Sequence, residues 1–328
     1  MLRSPPTWAN EMSVTNSQIF HGRQLEALRR QLGDAVLGYL DDPAIVEIML
    51  NPDGYLWVDV LGRGMERRET MDSVRGQMVM DTVAAMLGTV VNAITPILEC
   101  ELPLDGSRFE GLMPPVVERP VFTIRKRAIL IFTLDDYVVQ GILTRSQLDA
   151  LREAVRNRHN ILIAGGTGTG KTTLANAILH AMGQQTPEHR LVIIEDTREL
   201  QCAAPNVVFL RTSEGVDITR LLRATLRMRP DRIAVGEVRG AEALALLKAW
   251  NTGHPGGIGT VHANDAQAAL IRVGQLIQEA NVPANPALLA EAVNVVVSIK
   301  RTAAGRKVEQ VTRVLGYNAD GFVLEPAD

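Results

Sequence analysis

The residues best suited to chemistry lie in the run Gly165-Gly166-Thr167-Gly168-Thr169-Gly170-Lys171-Thr172-Thr173. It follows the apolar Asn160-Ile161-Leu162-Ile163-Ala164 and precedes the helix-like Leu174-Ala175-Asn176-Ala177-Ile178-Leu179. In that setting a strand ends, glycines let backbone N–H groups turn toward a polyphosphate, and the next helix presents its positive end. Lys171 supplies a full charge, and Thr172 is placed to ligate the Mg²⁺ that accompanies a nucleoside triphosphate. A glycine loop that merely turns the chain has no need of strand, lysine and helix in this order, so the spacing predicts a nucleotide site.

Four further groups could act on a bound nucleotide. Leu191-Val192-Ile193-Ile194 runs into Glu195-Asp196-Thr197-Arg198-Glu199-Leu200. Carboxylates just past a buried strand can orient a metal or an attacking water, and an exposed acidic loop is the plainer reading. Arg229-Pro230-Asp231-Arg232 leads into Ile233-Ala234-Val235-Gly236-Glu237-Val238-Arg239-Gly240. There Gly236 stands where a Walker B strand usually carries aspartate, which leaves Glu237 as the carboxylate at the tip. It could polarise a lytic water, hold a metal through water, or cap the next helix. Residues 253–265 place His254 and His262 around a glycine-rich turn and strand. An imidazole at a strand end can contact a terminal phosphate or report its loss, although His254 reads equally well as structural. Finally, Arg108, Arg119, Arg125 and Arg127 surround two expected strands in the first half. They form either a solvated basic edge or a source of arginines reaching a phosphate across a domain or subunit boundary. Arg220, Arg223 and Arg227 share one helical face and read as interface or solvent.

These groups need elements to position them. From Asn160 onward, apolar strand candidates alternate with helices: 161–164, 191–194, 207–210, 233–235, 258–261 and 295–299. Such alternation predicts a mainly parallel sheet flanked by helices, with ligands at the carboxyl ends of the strands. Thr144 or Ser146 can cap a helix running to about Arg158. The first half reads as a compact α+β module. Residues 1–20 are polar and irregular, a flexible tail. Leu25, Leu28, Leu32, Val36 and Leu40 keep a helical rhythm. Asp41-Asp42-Pro43 stops that helix and can start another through Ile45, Val46, Ile48 and Met49. A turn at 51–54, a strand from Tyr55 and a hairpin turn at 61–64 follow. A long helix is expected from about Val74 to Leu98, and a further strand over 121–127. The domain boundaries expected are a tail at 1–20, an N-terminal domain at 21–132, a linker at 133–144 with Gly141 as hinge, and a nucleotide-binding domain at 145–328.

Bulk properties narrow the function. The 328 residues carry a formal charge of −3, which argues against a generally basic, nucleic-acid-coating surface. An apolar share of 46% excludes wholesale disorder. Cys100 and Cys202 match no zinc spacing and read as reduced apolar residues of a cytoplasmic protein. The N-terminus lacks the apolar core of a secretory signal. The most apolar window, 78–97, is broken by Asp81 and Asn92, so any membrane association is expected to be peripheral.

Taken in order, these motifs resemble those of the secretion traffic ATPases, which power type IV secretion and conjugation and have relatives in type II secretion and type IV pili. Residues 165–173 resemble the family's Walker A, Glu-Asp-Thr-Arg-Glu-Leu its Asp box, Arg-Pro-Asp-Arg-Ile-Ala-Val-Gly-Glu-Val-Arg-Gly its Walker B and Gly-Thr-Val-His-Ala-Asn its His box. That family also lacks the Walker B aspartate. The chain has no cysteine-rich zinc module, which makes it most similar to the conjugation and type IV secretion branch. The resemblance implies an α/β protein with a C-terminal RecA-like P-loop NTPase domain and a smaller N-terminal PAS-like α+β domain. It implies a homohexameric ring that hydrolyses ATP with Mg²⁺ and sits peripherally on the cytoplasmic face of the inner membrane, against inner-membrane components of the secretion complex. No sequence-specific nucleic-acid binding is expected. Carried over residue by residue, Lys171 and Thr172 hold phosphates and magnesium, Glu195 and Glu237 are the acidic catalytic residues, and His262 is the His-box residue. Arg108 and Arg125 are the N-domain phosphate-contacting arginines. Rival readings are a type IV pilus or type II secretion motor, a nucleotide-gated assembly scaffold with little turnover, and a nucleic-acid translocase.

Overall fold

A computed structural model describes residues 7–127, 132–302 and 305–327, and the chain divides into two compact units, 1–129 and 130–328. In the first unit the order is α1 (Thr7–Asp41), β1 (Ile45–Leu50), β2 (Tyr55–Val60), β3 (Gly64–Thr70), α2 (Ser73–Met86), β4 (Ile97–Glu101), β5 (Arg108–Leu112) and β6 (Val121–Arg125). The strands form an antiparallel sheet in the order β3-β2-β1-β6-β5-β4. One sheet face is apolar: Ile48, Leu56, Val58, Phe109, Phe122 and Ile124 pack with Leu28, Leu32 and Val36 of α1 and Val79, Met80 and Val83 of α2. Alternate residues face away from this core, as the period of two requires.

Three expectations in this unit are corrected. Helix α1 begins at Thr7, inside the segment expected to be a flexible tail. No glycine or proline interrupts Thr7–His21, and the break comes at Gly33, whose φ of 75° kinks the element. Ile45–Leu50 is a strand and not a helix. Ile45, Val46 and Ile48 are β-branched, and β1 hydrogen-bonds to a neighbour on each side, a tertiary pairing that a local pattern does not reveal. Helix α2 ends at Met86 rather than Leu98: Gly88 takes φ 71°, its N–H bonds to the Ala85 carbonyl, and the turn stops the helix.

The second unit continues with α3 (Leu134–Val139), α4 (Arg145–Arg156), β7 (Ile161–Ala164), α5 (Lys171–Gln185), β8 (Leu191–Glu195), β9 (Val207–Arg211), α6 (Ile218–Thr225), β10 (Arg232–Val235), α7 (Glu242–Asn251), β11 (Ile258–Val261), α8 (Ala266–Gln278), α9 (Pro286–Ala292), β12 (Val295–Thr302), β13 (Gly305–Asn318) and β14 (Gly321–Pro326). Its sheet runs β14-β13-β12-β7-β11-β10-β8-β9, parallel from β12 to β9 and antiparallel at the β13 and β14 edge. Strands β7, β8, β10 and β11 are buried along their whole length because helices cover both faces. Ile161 and Ile163 pack with α3, α4 and α5, and Leu162 and Ala164 with α6 to α9. Residues 133–144, expected as a linker, contain α3. Thr133 and Asp136 form a reciprocal capping box there, a signal overlooked in Thr-Leu-Asp-Asp. Between the two candidate caps of α4, Thr144 is the one that accepts from the Gln147 amide. Among the described residues no helix is long and apolar enough to cross a membrane.

Candidate functional site: a phosphate loop with an acidic wall

Strand β7 delivers the chain into the glycine loop and α5 carries it away. Close packing dictates the first glycine: a Cβ at Gly165 would lie 2.6 Å from Thr169 Oγ1 and 2.7 Å from the Ile299 carbonyl oxygen. Thr169 Oγ1 in turn donates to the Gly166 carbonyl at 2.9 Å, which closes the loop on itself. Gly168 and Gly170 hold φ of 70° and 97°, which side-chain-bearing residues avoid. Gly170 is the N-cap of α5 and gives no side-chain cap. The first-turn amides, with Lys171, Thr172 and Thr173 on that turn, therefore keep their hydrogen-bonding capacity for an anion. Thr167 is exposed at the loop's outer edge.

Lys171 is 8% exposed, and its ammonium donates to the carbonyls of Gly165 (2.9 Å) and Gly166 (3.0 Å). It also stands 3.4 Å from His262 Nδ1, and His262 Nε2 lies 2.7 Å from Glu237 Oε1. An ammonium only donates, so the arrangement suits the neutral tautomer in which Nδ1 faces Lys171 as acceptor and Nε2–H donates to the carboxylate. Burial and the adjacent Lys171 charge push the His262 pKa down, against the opposing pull of Glu237. Glu237 sits two residues past β10 and also receives Arg239 Nε at 3.2 Å; Arg239 Nη2 bridges on to Asp196 at 2.6 Å.

Glu195 ends β8 and is 5% exposed. Its Oε1 accepts from the Glu199 and Leu200 amides at 3.0 and 2.8 Å. Burial raises its pKa to about 7, the two amides pulling the other way. It also explains the missing aspartate. Strands β8 and β10 are neighbours, and a Cβ at Gly236 would meet Glu195 Cγ at 2.8 Å and Oε1 at 3.0 Å. Glu195 thus fills the space that a side chain at 236 would need. Thr172 Oγ1 points to Glu199 Oε2 at 3.3 Å.

The second unit thus brings together Lys171, His262 and Glu237 in one hydrogen-bonded line, and Thr172, Glu199 and Glu195 in another. His254 stands apart, its Nδ1 3.0 Å from the Pro230 carbonyl as a loop tie. Arg220, Arg223 and Arg227 are exposed on and just beyond α6. Arg108 and Arg125 belong to the first unit, directly opposite each other on β5 and β6, with Glu47 Oε1 3.5 Å from Arg125 Nε. Sequence reasoning named Glu199 only within the acidic run and gave Arg239 no role. Both lie within quoted motifs, but nothing in their spacing tells that one meets Thr172 and the other Glu237.

The model of the type II/IV secretion system protein family matches residues 80–315, and that range contains the glycine loop, both acidic strand ends and His262. The chain belongs to the secretion traffic ATPases. It is 52% identical over 305 residues to a probable conjugal transfer protein TrbB of Sinorhizobium fredii and 49% identical over the same length to the conjugal transfer protein TrbB of Rhizobium radiobacter, covering 93% of this chain and 94% of each relative. Its fold resembles that of the ATPase DotB of Yersinia pseudotuberculosis, with a TM-score of 0.62 over 88% of this chain and 79% of that one, at 18% identity. As a traffic ATPase the chain has an N-terminal domain followed by a RecA-like P-loop domain, here the second unit. It is an ATP hydrolase of the conjugation and type IV secretion class.

Proposed function

We propose that this ATPase works as a homohexameric motor on the cytoplasmic face of the inner membrane, peripheral to inner-membrane components of a conjugative or type IV secretion complex, and couples ATP hydrolysis to motion of its N-terminal domain. The line Lys171–His262–Glu237 carries this reading. A scaffold that merely held nucleotide would need the lysine and the loop. It would not need an imidazole joining the phosphate-binding ammonium to a carboxylate. In a turnover cycle Glu237 accepts a proton from the attacking water, and His262 couples the charge on Lys171 to that carboxylate. Loss of the terminal phosphate then changes what Lys171 holds, and the change passes along two hydrogen bonds to the end of β10.

The residues fit a magnesium nucleotide. Among the described residues no three His, Cys, Asp or Glu side chains converge on a metal position, whereas the Thr172 hydroxyl lies on the first turn of α5 with Glu199 beside it. An all-oxygen set with few protein ligands suits Mg²⁺ held largely by phosphates, where it would neutralise charge on the transferring group. Glu195, raised to about 7, exchanges a proton near neutrality and orients the Asp-box backbone through its two amide bonds. Arg108 and Arg125 are assigned to the phosphoryl group in the transition state.

Steady-state ATP hydrolysis by wild type and Glu237→Gln, with oligomer mass measured on the same samples, tests the proposal. Turnover that rises with ring assembly and fails in the variant supports a motor. Tight ATP binding without turnover, in the ring and with membranes added, overturns it in favour of a gated scaffold.

A further inference from the structure

The hairpin of β12 and β13 is built against electrostatics. Lys300 stands opposite Lys307, and Arg301 opposite Arg306. Like charges directly opposite in an antiparallel pair destabilise it. Lys300 is relieved by Glu309 at 2.6 Å. Neither Arg301 nor Arg306 has an ion pair or a side-chain hydrogen bond among the described residues; Tyr137 is near enough to Arg306 to feel its charge, but a neutral phenol does not offset it, so no carboxylate among the described residues compensates this pair.

The hairpin's position supplies a reason. Strand β12 lies beside β7, so the residues that follow Ile299 continue past the carboxyl end of β7 and alongside the glycine loop. Ile299 itself touches the loop, its Cγ2 3.1 Å from where a Gly165 Cβ would be. From the partner strand Arg306, half-buried, extends over the loop's other end. A Cβ at Gly170 would lie 3.0 Å from Arg306 Cδ, 3.3 Å from Nε and 3.6 Å from Cζ. Gly170 immediately precedes Lys171 and caps α5, where backbone N–H groups gather the inner phosphates of a nucleotide. A guanidinium with no carboxylate on it among the described residues, half-removed from water and resting on a phosphate loop, has the fork geometry that phosphate oxygens match.

We infer that Arg306 is a nucleotide-binding residue supplied by the same chain, contacting the α- and β-phosphates at Gly170. The inference rests on the glycine loop as the nucleotide site. Because the contact is to the inner phosphates, it is made by diphosphate and triphosphate alike. That separates it from an arginine whose contribution appears only on the transferring group.

Dissociation constants for ADP and ATPγS with Mg²⁺, measured by calorimetry on wild type, Arg306→Ala, Arg306→Lys and Lys171→Ala, test it. Removing a charge-assisted phosphate contact weakens binding by roughly tenfold or more. Arg306→Ala is expected to lose about that factor for both nucleotides equally, and Arg306→Lys to recover part of it. The nucleotide-free melting temperature of Arg306→Ala should equal or exceed that of wild type, because the repulsion from Arg301 opposite is relieved, whereas a purely structural role would lower it. Wild-type or tighter affinity in Arg306→Ala, while Lys171→Ala no longer binds, overturns the role of Arg306 and leaves the loop assignment standing. Undiminished binding by Lys171→Ala would instead overturn the loop as the site.

Discussion

Two antiparallel strand pairs in this chain set arginine against arginine, and they differ in what surrounds them. In the first unit Arg108 and Arg125 occupy the middle of a cross-strand row that continues to Glu101 on one side and Glu47 on the other. In the second, Arg301 and Arg306 stand next to a second like-charged pair, Lys300 and Lys307, of which only Lys300 meets a carboxylate, Glu309. The first pair has carboxylates beside it in its own sheet, Glu47 at 3.5 Å from Arg125 and Glu101, which Arg127 also engages at 3.1 Å, and the second meets its anion, on the inference above, only when the glycine loop is filled. Arginines of equal charge therefore differ in what their loss should do. Removing one from a balanced row leaves the resting state little changed, so its effect appears where charge develops. Removing one from the unbalanced pair shows in binding itself.

The comparison can be tested in descending order of effect. Lys171→Ala removes the ammonium expected to hold the nucleotide whose phosphates both pairs would serve, and ATP turnover measured by phosphate release is expected to fall by about 10⁴-fold or more. Arg125→Ala is expected to slow turnover on the order of 10³-fold while the dissociation constant for ATPγS stays within about twofold, since an arginine finger acts in the transition state. Unchanged turnover would return Arg125 to a balanced surface row and dissolve the contrast. Glu237→Gln should reduce turnover roughly 10²-fold and retain ATP. That variant also allows the Arg306 comparison to be made with ATP itself. A further effect concerns acidity and is read in stability rather than in turnover. Glu195 ionises at about 7 in the folded chain against an ordinary value of 4.5, so its protonated form favours the fold. Its contribution is complete below about pH 4.5 and is lost as pH rises toward 7, a difference of up to about 3 kcal/mol. Urea unfolding of wild type and Glu195→Gln across that window should show the decline in wild type and its absence in the variant. Parallel curves would place Glu195 in a more watery setting than its burial indicates.

How much of this was legible in the sequence depended on burial. Strands such as Ile161–Ala164 and Leu191–Glu195 are covered on both faces, so they appear as unbroken apolar runs that end at polar motifs, and the motifs mark the site. The first unit's strands are half-buried and short. Ile45, Val46, Ile48 and Met49 fit a helical spacing as well as an extended one, and only pairing with β2 and β6 decides between them. Gly88 was a readable stop signal that a longer apolar rhythm obscured, and the Thr133–Asp136 box a start signal passed over because α3 is too short to show a periodicity. The β12–β13 hairpin was missed beyond Ile299 because Lys300, Arg301, Arg306, Lys307 and Glu309 hide its alternation under charge. Arg306 was missed with it. Likewise, no spacing rule announces that Glu195 would occupy the room beside Gly236.

That last feature also bears on how such a site can change over generations. The single replacement that would restore an ordinary Walker B ending, Gly236→Asp, forces a side chain into space that Glu195 Cγ already fills at 2.8 Å from the new Cβ. Taken alone the step forces the Glu195 side chain to move, and a shorter residue at 195 would remove that clash. Each position therefore limits which residues the other can accept, and glycine at 236 leaves room for a carboxylate on the next strand without contributing a side-chain atom of its own.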